Sequence, residues 1–123
     1  MITSTKQERM KHKLEEVNEV IHNLPKELPE QMHAFQKFLA ATEKPSVLDI
    51  KTKELINIAL SICAQCQWCI AVHVKGAFER GATGREIIDA ASMVVLMHGG
   101  SAFMYMIPLM EALEAFDPKQ KAA

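Results

Sequence analysis

Signals for β-structure are scarce in this chain. It contains no Asn-Gly or Asp-Gly pair, and no segment alternates apolar and polar residues for long. Such pairs and such alternation are typical of hairpins and half-buried strands. Aromatic residues, which favour strands, make up only 6% of the 123 residues. The sequence therefore predicts an all-α fold, and its length predicts one domain, residues 1–123, with a modest core.

An excess of charge is missing as well. The formal net charge is −1, which gives no electrostatic reason to expect binding to nucleic acid or to an anionic membrane. The chain has three cysteines, an odd number, and no apolar export segment follows Met1. These features favour free thiols in a reducing compartment over a disulfide framework. We therefore expect a cytoplasmic protein.

Helix signals, in contrast, recur along the whole chain. Thr5 and Glu8 have the spacing of a capping box and predict a first helix to about residue 22, before Pro25 and Pro29 break it. Apolar spacings of three and four, together with capping residues, predict about five more helices, which gives a bundle of about six. These are a helix at 30–42 with Met32, Phe35 and Leu39 turned inward, a helix capped by Asp49, a helix ending at Gly81, a helix at 85–98 capped by Thr83 and Glu86, and a helix at 101–116.

Residues 90–110 carry no full charge. A transmembrane helix needs about 20 uninterrupted apolar residues, and His98, Gly99, Gly100 and Pro108 interrupt this run. We therefore expect two helices that are apolar on more than one side rather than a membrane span. A chain of this size cannot bury such helices by itself, so part of their surface is expected to meet other subunits.

The most informative feature is a group of reactive residues in the middle of the chain, Cys66, Cys69 and His73. Two cysteines three apart on a helix have Cβ atoms about 5–6 Å apart. A disulfide needs about 3.5–4.5 Å, so a small local change closes or opens the bond. His73 lies one turn after Cys69 on the same helix face, where its imidazole can exchange a proton with the thiol. Because the thiolate is the reactive form, this spacing favours a redox pair over buried, inert thiols.

Glu54 joins this group only if the chain folds back on itself. It lies 19 residues before His73, a separation of about 28 Å along one straight helix. We therefore predict a helical hairpin that turns within residues 61–67, although no Gly or Pro marks the turn. Such a turn would place Cys66 at a helix start, where the helix dipole favours a thiolate. These residues leave open whether Cys66 or Cys69 attacks a substrate.

The pattern Glu54-x11-Cys66-x2-Cys69-x3-His73, followed by the segment 81–87, resembles the alkylhydroperoxidase D-like branch of the carboxymuconolactone decarboxylase family. The resemblance covers about residues 48–116 and implies a helical hairpin, a thiol-dependent peroxidase or disulfide oxidoreductase activity, and homotrimers or homohexamers. It also implies a hydroperoxide substrate and a dithiol or lipoyl-type electron donor. We expect neither a cofactor nor a metal.

The same resemblance implies a role for each of the four residues. Peroxide oxidises Cys69 to a sulfenic acid, while Cys66 donates a proton and then converts the sulfenic acid into a disulfide. Glu54 orients His73, which relays protons to the cysteine pair. We therefore expect Glu54, Cys66, Cys69 and His73 to be the catalytic residues.

Two departures and two competing functions accompany this resemblance. Gln67 and Trp68 separate the cysteines where well-studied peroxidases of the branch carry a pair that includes histidine, and Cys63 is an additional thiol. A lyase of the namesake decarboxylase type is the enzymatic alternative, but that branch does not rely on a cysteine pair. The non-enzymatic alternative is a metal site, although structural zinc usually gathers its ligands from two separated knuckles. Its ligands would be Cys63, Cys66, Cys69 and His73.

Overall fold

The computed structural model describes residues 5–121, with side chains described for residues 5–119. This part of the chain contains helices and turns and no strand, which confirms the all-α prediction. Six helices are long and two are single short turns. In chain order they are α1 (Lys6–Glu27), α2 (Pro29–Glu43), α3 (Ile50–Cys63), α4 (Gln67–Glu79), α5 (Gly84–His98), α6 (Gly100–Met104), α7 (Met106–Phe116) and α8 (Pro118–Lys121).

Capping side chains set the starts of three helices, as the sequence predicts. At α1, the Thr5 hydroxyl accepts a hydrogen bond from the Glu8 N–H at 3.1 Å, and the Glu8 carboxylate accepts one from the Thr5 N–H at 2.8 Å. Thr83 and Glu86 form the same reciprocal pair at α5. At α3, the Asp49 carboxylate accepts a bond of 2.7 Å from a backbone N–H of the first turn. These bonds satisfy N–H groups that a helix start otherwise leaves without partners.

Two of the predicted boundaries are wrong. Pro25 does not end the first helix, which continues for two more residues. A proline removes one backbone hydrogen bond and crowds the preceding turn. Here the missing bond lies in the last turn of α1, so few helical hydrogen bonds follow it. The helix predicted at 101–116 is divided at Tyr105 into α6 and α7. Pro108 explains the division, because it has no N–H for the carbonyl of Met104 and its ring crowds that carbonyl.

The core lies between α3, α4, α5 and α7, and α1 packs across α4 and α7. Each of these helices contributes large side chains that are at most 1% exposed. Burying one such side chain stabilises the fold by about 1.5–3 kcal/mol, so these contacts hold α3 and α4 together as a hairpin. The fully buried large side chains are Met10, Ile58, Ile62, Ile70, Val74, Ile87 and Leu109.

The prediction that Met32, Phe35 and Leu39 of α2 turn inward holds only in part, because Met32 and Leu39 are half-buried but Phe35 is exposed. Among the residues that the structure describes, none of α2 is fully buried, and Phe35 and Phe38 are exposed. The reason is that α2 packs chiefly along α1 and lies apart from the main helix bundle. The part of the chain that the structure describes therefore leaves the phenylalanines of α2 uncovered.

Residues 90–110 form helices that are apolar on more than one side, as predicted. Ala91 and Leu109 are fully buried, whereas Leu96 and Met97 are 71% and 78% exposed. Within residues 5–121, no helix combines the length and the apolar character needed to cross a membrane.

Candidate active site

The turn between α3 and α4 places Cys66 at a helix start. α3 ends in a Schellman motif, in which the Cys66 N–H bonds to the Ser61 carbonyl at 3.0 Å. The Gln65 N–H bonds to the Ile62 carbonyl at 3.0 Å, and Gln65 has a φ of 57°, a left-handed conformation that usually falls to glycine. Cys66 is then the N-cap of α4. The predicted hairpin is therefore confirmed, with its turn inside residues 61–67.

Cys66 and Cys69 are joined as a disulfide, with Cα atoms 5.3 Å apart. That separation lies within the usual range of about 4.4–6.8 Å. The backbone of Cys66 is extended, with φ −114° and ψ 100°, whereas the simple spacing estimate places both cysteines inside one helix. The Cys66 sulfur also accepts a hydrogen bond from the Cys69 backbone N–H at 3.1 Å. When the disulfide is reduced, a helix N-terminus and such a donor favour a thiolate at Cys66.

Glu54 and His73 meet across the hairpin. His73 Nδ1 lies 3.0 Å from Glu54 Oε1, and the two side chains are only 21% and 15% exposed. An ionised carboxylate can only accept, so His73 Nδ1 carries the hydrogen and donates it. Nε2 of the neutral ring then has a free lone pair and can act as a base. His73 lies four residues after Cys69 on α4, so the two side chains share one side of that helix.

Asn57 is a member of this site that the sequence does not identify. Its Nδ2 donates to Glu54 Oε1 at 3.0 Å, so one carboxylate oxygen receives hydrogen bonds from both Asn57 and His73. Asn57 lies one turn after Glu54 on α3, where a side-chain contact is expected. That spacing is common on helices, however, and gives no signal of function by itself.

The environment of Glu54 favours its ionised form. Burial of the carboxyl group by itself raises its pKa, but hydrogen bonds from His73 and Asn57, followed by the positive charge that His73 carries when it is protonated and by that of Arg80, lower it further than burial raises it. The pKa of Glu54 is therefore below its ordinary value. An ionised Glu54 keeps the hydrogen on His73 Nδ1 and leaves Nε2 as the base.

A cleft of about 330 Å³ reaches Glu54 from the side of the α2–α3 connection. Glu54, Asn57 and Arg80 line it together with residues from the end of α2 and the start of α3. Lys53 fixes the connection, because its ammonium donates to the Thr42 and Lys44 carbonyls at 2.8 and 2.7 Å. The carboxylate end of the Glu54–His73 pair is thus open to a solvent-accessible cleft.

Trp68, which lies between the two cysteines, is held by α1. Its indole N–H donates to Glu16 Oε1 at 3.0 Å, and the Lys13 ammonium lies 4.9 Å from the centre of its ring. An ammonium over an aromatic ring is a favourable contact. These contacts join residues more than 50 positions apart, so helix periodicity gives no signal for them.

The four proposed metal ligands do not converge. Cys66 and Cys69 are joined to each other, and His73 faces Glu54. The Cys63 sulfur instead lies 3.2 Å from Nε2 of His98, at the end of α5. Among the described side chains, no group of three or more His, Cys, Asp and Glu residues could hold a metal ion. This arrangement therefore gives the metal-site alternative no ligand set.

A family model and several known proteins match this chain in sequence. A model of the carboxymuconolactone decarboxylase family matches residues 29–112. An uncharacterised protein of the cox locus of Paracoccus denitrificans is 39% identical over 70 residues, which cover 57% of this chain and 63% of that protein. The chain thus spans less than two thirds of that relative. An uncharacterised protein from Cupriavidus necator is 31% identical over 108 residues, which cover 88% of this chain and 93% of that protein.

Two solved structures have the same architecture. An apo carboxymuconolactone decarboxylase family protein from Legionella pneumophila is 36% identical, with a TM-score of 0.80 over 91% of this chain and 97% of that one. A family protein from Thermotoga maritima, described in connection with an antioxidative response, is 24% identical, with a TM-score of 0.75 over 93% of this chain and 94% of that one. Because the family model covers well over half of its residues, the chain belongs to the carboxymuconolactone decarboxylase family.

Proposed function

We propose that the protein is a thiol-dependent peroxidase that transfers electrons from a dithiol to a hydroperoxide through Cys66 and Cys69. The observation that carries this proposal is the position of the cysteine pair. The pair closes as a disulfide in the same hairpin in which His73, one turn after Cys69, meets Glu54. A redox couple and a base held by a carboxylate are the components that such a reaction needs.

In the first step, His73 Nε2 takes the proton of the Cys69 thiol, and the thiolate attacks the terminal oxygen of the hydroperoxide. The S–O bond forms as the O–O bond breaks, so the sulfur is oxidised by two electrons and an alkoxide leaves. The alkoxide takes the proton from His73, which gives an alcohol and Cys69 sulfenic acid. Glu54 holds the ring and stabilises the positive charge that develops on it.

In the second step, Cys66 gives up its proton and the thiolate attacks the sulfur of the Cys69 sulfenic acid. The S–S bond forms as the S–O bond breaks, and the hydroxide that leaves combines with the proton from Cys66 as water. The product of this step is the disulfide of the structure, whose Cα separation of 5.3 Å lies within the usual range. An external dithiol, such as a lipoyl-type donor, then reduces the disulfide by exchange and becomes a disulfide itself. One hydroperoxide and one dithiol thus give one alcohol, one water and one oxidised donor.

The division of labour between the two cysteines follows from their local surroundings. Cys69 has a base one turn away on the same helix face, which suits it for the proton transfer of the first step. Cys66 sits at the helix N-cap with a backbone donor on its sulfur. That environment favours a thiolate, the form that attacks a sulfenic acid and the form that leaves when a donor thiolate attacks Cys69 in the disulfide.

The proposal extends to partners and setting. A dithiol donor must regenerate the cysteine pair, so the protein should act in a reducing compartment such as the cytoplasm. The exposed apolar helices support assembly with further copies of this chain, as a homotrimer or homohexamer.

The order of oxidation tests the proposal directly. After a brief pulse of hydroperoxide, the Cys66→Ser variant should accumulate a trappable sulfenic acid at Cys69, because the resolving thiol is gone. The Cys69→Ser variant should consume almost no peroxide. Mass spectrometry of the trapped protein locates the oxidised sulfur, and the peroxide that remains in solution gives the consumption. The matched control is Cys63→Ser, which should behave like the original protein because Cys63 faces His98. First oxidation on Cys66, or a Cys63–Cys66 disulfide as the major product, would contradict the assignment.

Loss of the base should slow the first step strongly. We expect His73→Ala to lower the rate of peroxide reduction by about 10²–10⁴-fold, the range for loss of a general base. A turnover assay with several hydroperoxides and alternative dithiol donors measures this rate. A lyase activity that survives Cys69→Ser would instead support the decarboxylase alternative.

A further inference from the structure

Gly76 occupies an unexpected place, the interior of α4. A glycine inside a helix is less favourable than alanine, because the unfolded chain has more freedom to lose. Gly76 lies three residues after His73, so both positions face the same side of α4. That side is the one on which Glu54 of α3 meets His73.

The missing side chain of Gly76 makes room for the Glu54 carboxylate. A Cβ atom built at position 76 would overlap Glu54 Oε2 and would lie only 3.1 Å from Glu54 Cδ. The other glycine within a long helix differs, since a Cβ at Gly84 meets nothing closer than Asp117 Oδ2 at 3.7 Å. The space at Gly76 is thus filled by the group that binds His73.

Both carboxylate oxygens of Glu54 therefore have fixed surroundings. Oε1 accepts hydrogen bonds of 3.0 Å from His73 Nδ1 and from Asn57 Nδ2, while Oε2 rests against the backbone at Gly76. Hydrogen bonds weaken steeply as they lengthen and bend. A methyl group at position 76 must push the carboxylate away, and that movement would break its alignment with the imidazole.

We infer that Gly76 is a positioning residue for the thiol chemistry, because the space that it leaves lets Glu54 hold His73 with Nε2 free to serve Cys69. The inference rests on the proposed function in that it assigns Gly76 to the same site. Gly76 itself touches no reacting atom and acts only through Glu54. Asn57 also holds the carboxylate, through its hydrogen bond to Oε1.

The test uses the reactivity of Cys69 without any peroxide. In a Cys63→Ser, Cys66→Ser background, Cys69 is the single thiol of the chain, and its alkylation by iodoacetamide is followed against pH. Adding Gly76→Ala should lower the alkylation rate at neutral pH by about tenfold or more. This loss is smaller than that expected for complete removal of a general base, because His73 is still present but misaligned. The pH profile should move to that of the Glu54→Ala variant. Gly84→Ala is the matched control and should leave both rate and profile unchanged.

A double-mutant cycle separates positioning from general damage to α4. In a Glu54→Ala background the clash is gone, so Gly76→Ala should not alter alkylation further. It should instead raise the melting temperature by a few °C, because alanine is the better helix residue. An unchanged pH profile in Gly76→Ala, or an equal loss of rate in the Glu54→Ala background, would overturn the inference.

Two further outcomes are decisive. If Gly76→Ala does not fold, recovery of folding by Glu54→Ala supports the inference, and failure to recover overturns it. If the original protein reduces no hydroperoxide, the proposed function is wrong. The alkylation rates of the four variants in the double-mutant cycle still test the role of Gly76, because that experiment uses no peroxide.

Discussion

At the scale of single residues, the ionisation of Glu54 decides what His73 can do. The carboxylate accepts from His73 Nδ1 and leaves Nε2 as the base, an arrangement that a neutral carboxyl group would not impose. Burial raises the pKa of Glu54, but its hydrogen bonds and the neighbouring positive charges hold it below its ordinary value. The unfolded chain therefore binds more protons than the folded protein as the pH falls. The stabilisation from Glu54 is complete above the ordinary glutamate pKa and is lost as the pH falls through the lowered one.

This linkage predicts the pH dependence of a Glu54→Gln variant. At neutral pH we expect the variant to have a free energy of unfolding about 1–2 kcal/mol lower, because it loses the charge-assisted part of two hydrogen bonds. The difference should shrink as the pH falls into the acid range, where the original protein loses the same contribution. Urea unfolding at one fixed protein concentration and several pH values measures it. Glu19→Gln, on the exposed face of α1, is the control. A difference that stays constant with pH would contradict the prediction.

At the scale of helices and turns, two similar helix ends show what the sequence can predict. α4 ends in a Schellman motif, with the Ala82 N–H bonded to the Ala77 carbonyl at 2.9 Å. Gly81 occupies its left-handed position with a φ of 88°, and the glycine predicts that end from sequence. The end of α3 has the same motif with Gln65 in the left-handed position, so no residue type marks it. The turn after α3 can be predicted only from the argument that Glu54 must reach His73.

The site also has parts that the sequence predicts and parts that it does not. Cys66, Cys69 and His73 lie close together in sequence, and a single hairpin adds Glu54, so the sequence predicts that these residues meet. Contacts between helices that are distant in sequence leave no such pattern. For this reason only the folded chain shows three features: the hydrogen bond from Trp68 to Glu16, the contact of Cys63 with His98, and the space at Gly76.

The unusual turn at Gln65 makes a testable prediction. A non-glycine residue in the left-handed region costs about 1–2 kcal/mol, and glycine relieves this cost while making the unfolded chain more flexible. We expect Gln65→Gly to raise the free energy of unfolding by about 0.5–1 kcal/mol, which thermal unfolding can measure. The matched control is Ala64→Gly at the preceding position, where φ is −79°. That change should destabilise the protein by about 0.5–1 kcal/mol. An equal decrease in the free energy of unfolding in both variants would show that the left-handed conformation of Gln65 is not strained.

At the scale of the whole molecule, the single chain leaves much of its apolar surface uncovered. α2 has no buried residue, and its phenylalanines are exposed. Leu96 and Met97 of α5 are more than two thirds exposed, as part of a longer run of exposed residues on α5, α6 and α7. The amphipathic pattern of α2 predicts which side chains seek burial, but it does not say that another chain must supply the cover. This is why the inward orientation predicted for α2 fails at Phe35, although Met32 and Leu39 are half-buried.

The exposed faces predict that the protein assembles with itself. Burial of one such side chain is worth about 1.5–3 kcal/mol, so covering several of them between copies should give an oligomer that is stable at micromolar concentration. Introducing two charges with Leu96→Glu and Met97→Glu should shift the protein strongly toward monomer, because an unpaired charge in an apolar interface is costly. Asn18→Glu adds a charge at an exposed polar position of α1 and serves as the control. Sedimentation measures all three proteins. A monomeric original protein at micromolar concentration would contradict the prediction, and an unchanged oligomer in the double variant would move the interface away from this part of α5.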